Sequence, residues 1–307
     1  MTTQPPTDEL LHACSQIPSA APPTPELLQI TRSFIVDVIG RGSVPPPVLA
    51  ALDDLPPHGA GWLAISLGSA VEKGLDPALA GPRLVEAFRS WLARTGGGRE
   101  PELLEALPSL AQALVAHLAR LPELRSALAD DAEFTATLEE RESESHAITW
   151  VRELVLRRSG DLYVVHAETR RVCHLRFFNV ARCFHLFSLI QSVLGSALPG
   201  GKLPDGAVAL AARGKSDEPA TDHAWWHYQV SGAKQDMGKG VWGEESVEHL
   251  RGPDGNYALS LWDPLLGDRA WNSGFFGPAL EAAPADLRFI AELQGDAAEE
   301  WAARILS

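Results

Sequence analysis

The spacing of apolar residues changes period near residue 147, and that switch restricts the chain to a fold assembled in two different styles. Before it, apolar positions recur three and four residues apart. Leu27, Leu28, Phe34, Ile35, Val38 and Ile39 form one helical stripe behind a start signal in which Thr24 caps and Pro25 takes the first position. Gly40 is placed to close that helix in the left-handed conformation. Asp76 and Pro77 repeat the start signal ahead of Leu84, Val85, Phe88, Trp91 and Leu92, and the glycines at 96–98 break the pattern. Pro101 opens a Leu- and Ala-rich segment with Pro108 inside, which predicts a kink or two short helices. Residues 1–23 are rich in Pro, Thr and Ala and read as a loosely held tail, with DELLHAC as one short helix at most.

Beyond the switch, ELVLRR, DLYVVHAE and RVCHLRFFNV are short, rich in Val, Leu and aromatics, and separated by turn residues. They read as two consecutive hairpins. Asn179 is placed to cap a helix carrying Val180, Cys183, Phe184, Phe187, Ile190 and Leu194, the central helix of this half. GAVALAARG, AWWHYQVSG and NYALSLWDP read as strands, Glu244 to Leu250 as a short helix and Gly295 to Leu306 as a final one. The expectation is an α+β protein: a tail at 1–23 and an all-helical domain at 24–145, packed on a C-terminal domain at 146–307 with a mostly antiparallel sheet and a central helix.

Composition then excludes classes of function. The 307 residues, 45% hydrophobic and 21% charged, suit two globular domains. No apolar run reaches the ~18 to 20 residues of a membrane span, and the first residues lack a signal-peptide pattern. Cys14, Cys173 and Cys183 cannot all pair and form no CxxC, which points to a reducing, cytoplasmic setting. A formal charge of -14 opposes nucleic acid and anionic membranes, leaving a protein or small molecule as the expected partner and the oligomeric state open. The high Ala, Leu, Arg and Gly content is like that of proteins from GC-rich bacteria.

Four stretches invite a chemical reading. In DHAWWHYQV, His223 and His227 would chelate a metal from one face of a helix. The residues favour a strand, where a rise of ~3.3 Å per residue separates them by about 13 Å, so no shared ion is expected. Trp226, Tyr228 and Val230 then alternate onto one face and Trp225, His227 and Gln229 onto the other. His227 remains a candidate base or single ligand. Cys173, His174, Cys183 and His185 supply zinc-ligand types, but alternation along a strand and angular spacing on a helix turn them apart. Two buried structural thiols are the better account, with His185 facing solvent or another chain beside Arg182, Ser188 and Ser192.

GAKQDMGKGVWGEE resembles a phosphate loop in composition only. Five residues rather than four separate Gly232 from Gly238, and Gly240 stands where the magnesium-binding hydroxyl belongs, so the stretch reads as a mobile loop beside a pocket. Glu244, Glu245, Glu248 and His249 follow at an expected helix start, where the terminal partial charge favours carboxylates. The last stretch is aromatic: Trp225, Trp226, Trp242, Trp262, Trp271, Phe275 and Phe276 lie between residues 225 and 276. Most are expected in the core, leaving Trp225, Trp242 and Trp271 to grip a partner while Arg269, Asp263 and Asp268 orient a polar ligand.

The chain holds no GxSxG elbow, HExxH, EF-hand loop or kinase set, no dinucleotide fingerprint is expected, which disfavours dinucleotide enzymes, and no cofactor is expected. The favoured function is a binding or adaptor protein working through C-terminal tryptophan-rich loops. One alternative is a metal-assisted hydrolase in which His227 meets Glu244, Glu245 or Asp263. The other is a structural subunit of a larger assembly, which would carry an extensive apolar patch on the helical domain.

Overall fold

The structure is a computed structural model and describes residues 5–18, 22–201, 203–204, 206–213, 223–226, 229–232, 243, 245–263, 269–272 and 283–306. It has the expected α+β architecture, and the chain divides into two compact units, Met1–Val155 and Leu156–Ser307.

The first unit is helical: α1 (Pro6–Ser15), α2 (Pro25–Arg41), α3 (Pro46–Asp54), α4 (Pro57–Glu72), α5 (Gly81–Thr95), α6 (Pro101–Leu118), α7 (Pro122–Ala129), α8 (Ala132–Arg141) and α9 (His146–Val155). Thr24 caps α2 as its sequence predicts, its hydroxyl accepting from the Leu27 N–H at 3.2 Å. The helix runs through Gly40, however, and Gly42 closes it with φ of 61°. The supposed tail contributes α1, whose Leu10 and Cys14 are fully buried. Its four apolar positions, Leu10, Leu11, Ala13 and Cys14, are too few to reveal a buried face against so many prolines. Pro108 does not break α6, which remains a single helix. The missing Pro N–H forgoes one ladder bond, and burial of Leu103, Leu107, Leu110 and Leu114 holds the helix on both sides of it.

Small residues explain why α4 sits at the centre. Gly59, Gly61 and Gly68 share its buried surface with Leu63, Leu67 and Val71. A Cβ at Gly59 would overlap the Cys14 carbonyl of α1, and one at Gly68 would lie 2.9 Å from the Ala113 Cα of α6. Only hydrogen at these positions lets α4 approach both neighbours so closely.

The second unit comprises β1 (Arg158–His166), β2 (Val172–Val180), α10 (Cys183–Leu194), α11 (Gly206–Ala212), β3 (His223–Trp226), β4 (Gln229–Gly232), β5 (Tyr257–Trp262), β6 (Arg269–Asn272), β7 (Asp286–Leu293) and α12 (Gly295–Leu306). One sheet has the order β4-β5-β1-β2-β7, and β3 pairs with β6 in a separate two-stranded ribbon. Only the β1–β5 pairing is parallel, so the sheet is mostly antiparallel as expected. α10 packs its apolar surface into the main core with Leu162, Leu175, Phe177 and Leu259. α12 buries Ala302 and Ile305 against Val165, Val172 and Ala258.

Several sequence expectations are corrected here. ELVLRR is not a strand: Glu153 to Val155 end α9, where Ile148, Val151 and Val155 lie on its buried face. One hairpin, β1–β2, therefore replaces two, and β7 takes the other side of β2. GAVALAARG forms α11, in keeping with the helix propensity of its alanines. AWWHYQVSG supplies two strands in two different sheets, and the helix near residue 244 is only a 3-10 turn at Val247–Leu250. Asn179 does not cap α10, because β2 continues through it in the left-handed region at φ 54°. The α10 start is satisfied by backbone instead: Cys183 N–H donates to the Glu245 carbonyl at 2.9 Å and Phe184 N–H to Gly243 at 2.7 Å. Among the described residues no helix is long and apolar enough to cross a membrane.

Candidate functional site

Of the residues expected to carry chemistry, His227, Glu244 and Trp242 lie outside the described residues, as do Asp268, Phe275 and Phe276. Glu245 stands 3.4 Å from the His249 imidazole, and Asp263 is exposed just beyond β5. Trp225 and Trp271 lie on strands and not on loops: Trp225 pairs with Ala270, and Trp271 pairs with Ala224 on the neighbouring rung. Arg269 pairs with Trp226 in the same ribbon. Among the described residues no group of three His, Cys, Asp or Glu is placed to hold a metal ion.

The glycine-rich stretch does spell GxGxxG over Gly238 to Gly243, which corrects the expectation that the chain carries no such fingerprint. That motif needs a strand running directly into it and a helix opening from it. β4 ends at Gly232, residues 233–242 lie outside the described residues, and the next described element is the 3-10 turn. The spacing therefore carries no dinucleotide assignment.

Cys173 and Cys183 are buried in one apolar core, as expected of structural thiols, and burial raises Cys173 to about 11 and Cys183 further. His185 is a correction. It is buried rather than facing solvent, its Nε2–H donating to the Ala212 carbonyl of α11 at 2.5 Å, and desolvation lowers it to about 4. The angular argument separated it from Cys183 properly but could not foresee that α11 covers that side. His174, on the opposite face of β2 from Cys173, hydrogen-bonds Asp161 at 2.8 Å and stacks on Tyr163 at 4.7 Å. Tyr163 stacks in turn on Trp301 at 3.6 Å. Arg176 holds both Asp161 oxygens and, with His174, keeps that carboxyl below its usual range. This is a closed cross-strand lattice with its groups already partnered.

The most open chemistry lies elsewhere, in a cleft of about 890 Å³ in the helical unit. Each of four helices gives it a stripe at helical spacing. α1 contributes Glu9 and His12, with Gln16 just past its end, and α2 contributes Glu26, Ile30 and Ser33. α4 supplies His58, Trp62 and Ile65, and α6 supplies Glu105 and Ser109. Ile17, Pro18 and Leu27 add apolar wall. Trp62 is fixed because its Nε1–H donates to Thr31 Oγ1 at 2.9 Å. His58 has a side chain only 9% exposed, and its Nε2 lies 3.8 Å from Glu105, an ion-pair distance beyond hydrogen-bond reach. It makes no hydrogen bond to any described residue.

Sequence reasoning missed this cleft. Its α1 wall was read as tail, and the pairs His58–Trp62 and Glu105–Ser109 at i, i+4 lie in segments that otherwise read as packing helices. Mixed polar and apolar stripes on both sides of 18–22 were the available signal.

No family model, no curated protein and no solved structure matches the chain.

Proposed function

We propose that this chain is a binding protein and that its helical unit holds a small molecule in the cleft between α1, α2, α4 and α6. His58 carries the reading. Its side chain, 9% exposed on the cleft wall, makes no hydrogen bond to a described residue, so a ligand can supply a hydrogen bond there that the protein does not. The volume falls in the range of about 300–1,000 Å³ usual for small-molecule sites, and apolar walls with a few convergent polar groups are their common make-up. The test is a thermal-shift screen of small polar and apolar fragments on the full chain. Hits should raise the melting temperature, and His58→Ala should abolish the shifts. A screen in which nothing stabilises the chain, or in which the hits ignore His58→Ala, overturns the reading.

The adaptor role of the C-terminal tryptophans is a separate proposal, supported by their number and by a ribbon that pairs outside the main sheet. Alanine at Trp242 and Trp271 together should then weaken partner capture without lowering the melting temperature. The cytoplasm of a bacterium is the proposed setting, supported by three buried, unpaired cysteines and by composition.

A further inference from the structure

Resting on that cleft, we infer that its ligand is an organic cation with an apolar body, such as a primary amine or a quaternary ammonium. Three carboxylates line the space, Glu9, Glu26 and Glu105, and among the described residues no Lys or Arg does. None of the three is paired with a described Lys or Arg; the 3.8 Å approach of His58 to Glu105 is their one recorded ionic contact. Elsewhere in the same unit some carboxylates take an arginine, as Asp37 does with Arg41, Asp131 with Arg89 and Glu100 with Arg94. The described lining is thus acidic and carries no Lys or Arg, which favours a cation over an anion there.

The apolar part follows from the remaining walls. Ile30 and Ile65 line the space beside Trp62, whose indole is anchored to Thr31 and offers a fixed face for an alkyl chain or a cationic head. His58, whose Nε2 approaches Glu105 at 3.8 Å without a hydrogen bond, can accept from an ammonium or donate to a ligand oxygen. Electrostatics selects the sign of the ligand and the apolar walls supply area, which is a division of labour usual in pockets.

The test is calorimetric titration of the full chain at neutral pH with three probes that share a body and differ in charge: phenethylamine, phenethyl alcohol and hydrocinnamate. Phenethylamine should bind about tenfold tighter than the alcohol, with hydrocinnamate weakest. The variant Glu9→Gln/Glu26→Gln/Glu105→Gln should erase that preference while leaving the melting temperature unchanged, since Glu26 and Glu105 are exposed and Glu9 is half-buried. Ser33→Arg, which adds a positive charge at the exposed rim, should weaken phenethylamine and spare the alcohol. If the alcohol or hydrocinnamate binds as well as the amine and Trp62→Ala weakens all three, the cleft is a site but the cation inference is overturned. Amine binding that ignores both charge variants also overturns it, because the amine then sits elsewhere. If none of the three binds and no fragment stabilises the chain, the binding reading itself falls.

Discussion

His117 and His185 are two bases kept neutral inside the protein. His117 is fully buried on α6, where its Nδ1–H donates to the Ala113 carbonyl at 2.8 Å while Nε2 meets no partner among the described residues. Desolvation lowers both imidazoles to about 4, against an ordinary value near 6.5. The unfolded chain therefore takes up two protons that the folded chain refuses. Their contribution to stability is complete above about pH 6.5 and is lost as pH falls toward 4, up to about 3 kcal/mol for each. Urea midpoints measured from pH 7 to pH 4.5 should fall accordingly, and two imidazole resonances should stay neutral through pH 5.5; midpoints that do not move would show both rings accessible. The thiols make a parallel case. Burial holds Cys14 near 12 and Cys173 near 11, so iodoacetamide at neutral pH should label all three cysteines only as fast as the protein opens.

At the level of elements, glycines on two helices should respond in opposite ways. Gly40 lies in α2 with nothing near an added Cβ, so Gly40→Ala should stabilise by about 0.5–1 kcal/mol through helix propensity. Gly68→Ala places a methyl group against the α6 backbone and should destabilise by about 1–3 kcal/mol. Chemical denaturation of the two variants checks both signs at once. The same contrast explains what was legible in advance. Helix α2 carries its own stripe and start signal, and α5 and α12 their own periodicity, so sequence alone located them, although the Asp76–Pro77 signal caps a 3-10 turn at Pro77–Leu79 and α5 begins only at Gly81. β7 escaped because DLRFIAEL leaves Phe289 and Ile290 half-exposed on an edge strand, without the alternation that marks a buried face. α11 was misread because a seven-residue Ala-rich run has no period of its own. The cleft escaped for a further reason: it is made by four helices at once, and no one segment reports which of its polar stripes will meet another.

At the scale of the whole molecule, each unit has its own buried core, the first around Phe34, Leu63, Phe88 and Leu107 and the second around Phe177, Phe187 and Leu259. Residues 1–155 produced alone should therefore give a helical circular-dichroism spectrum and a cooperative melt. A broad, non-cooperative melt would show that this unit needs the remainder of the chain. Fragment binding to that piece would also report whether the cleft is complete without residues 156–307. The strand order has a temporal consequence. β1 and β2 are made as a hairpin, but their outer neighbours β5 and β7 come much later, and the Arg171–Glu292 ion pair joins residues 121 apart. During synthesis the helical unit can finish folding while this hairpin waits, both of its edges open, for strands not yet translated. Nascent chains stalled between β2 and β5 should accordingly be the ones that chaperones hold.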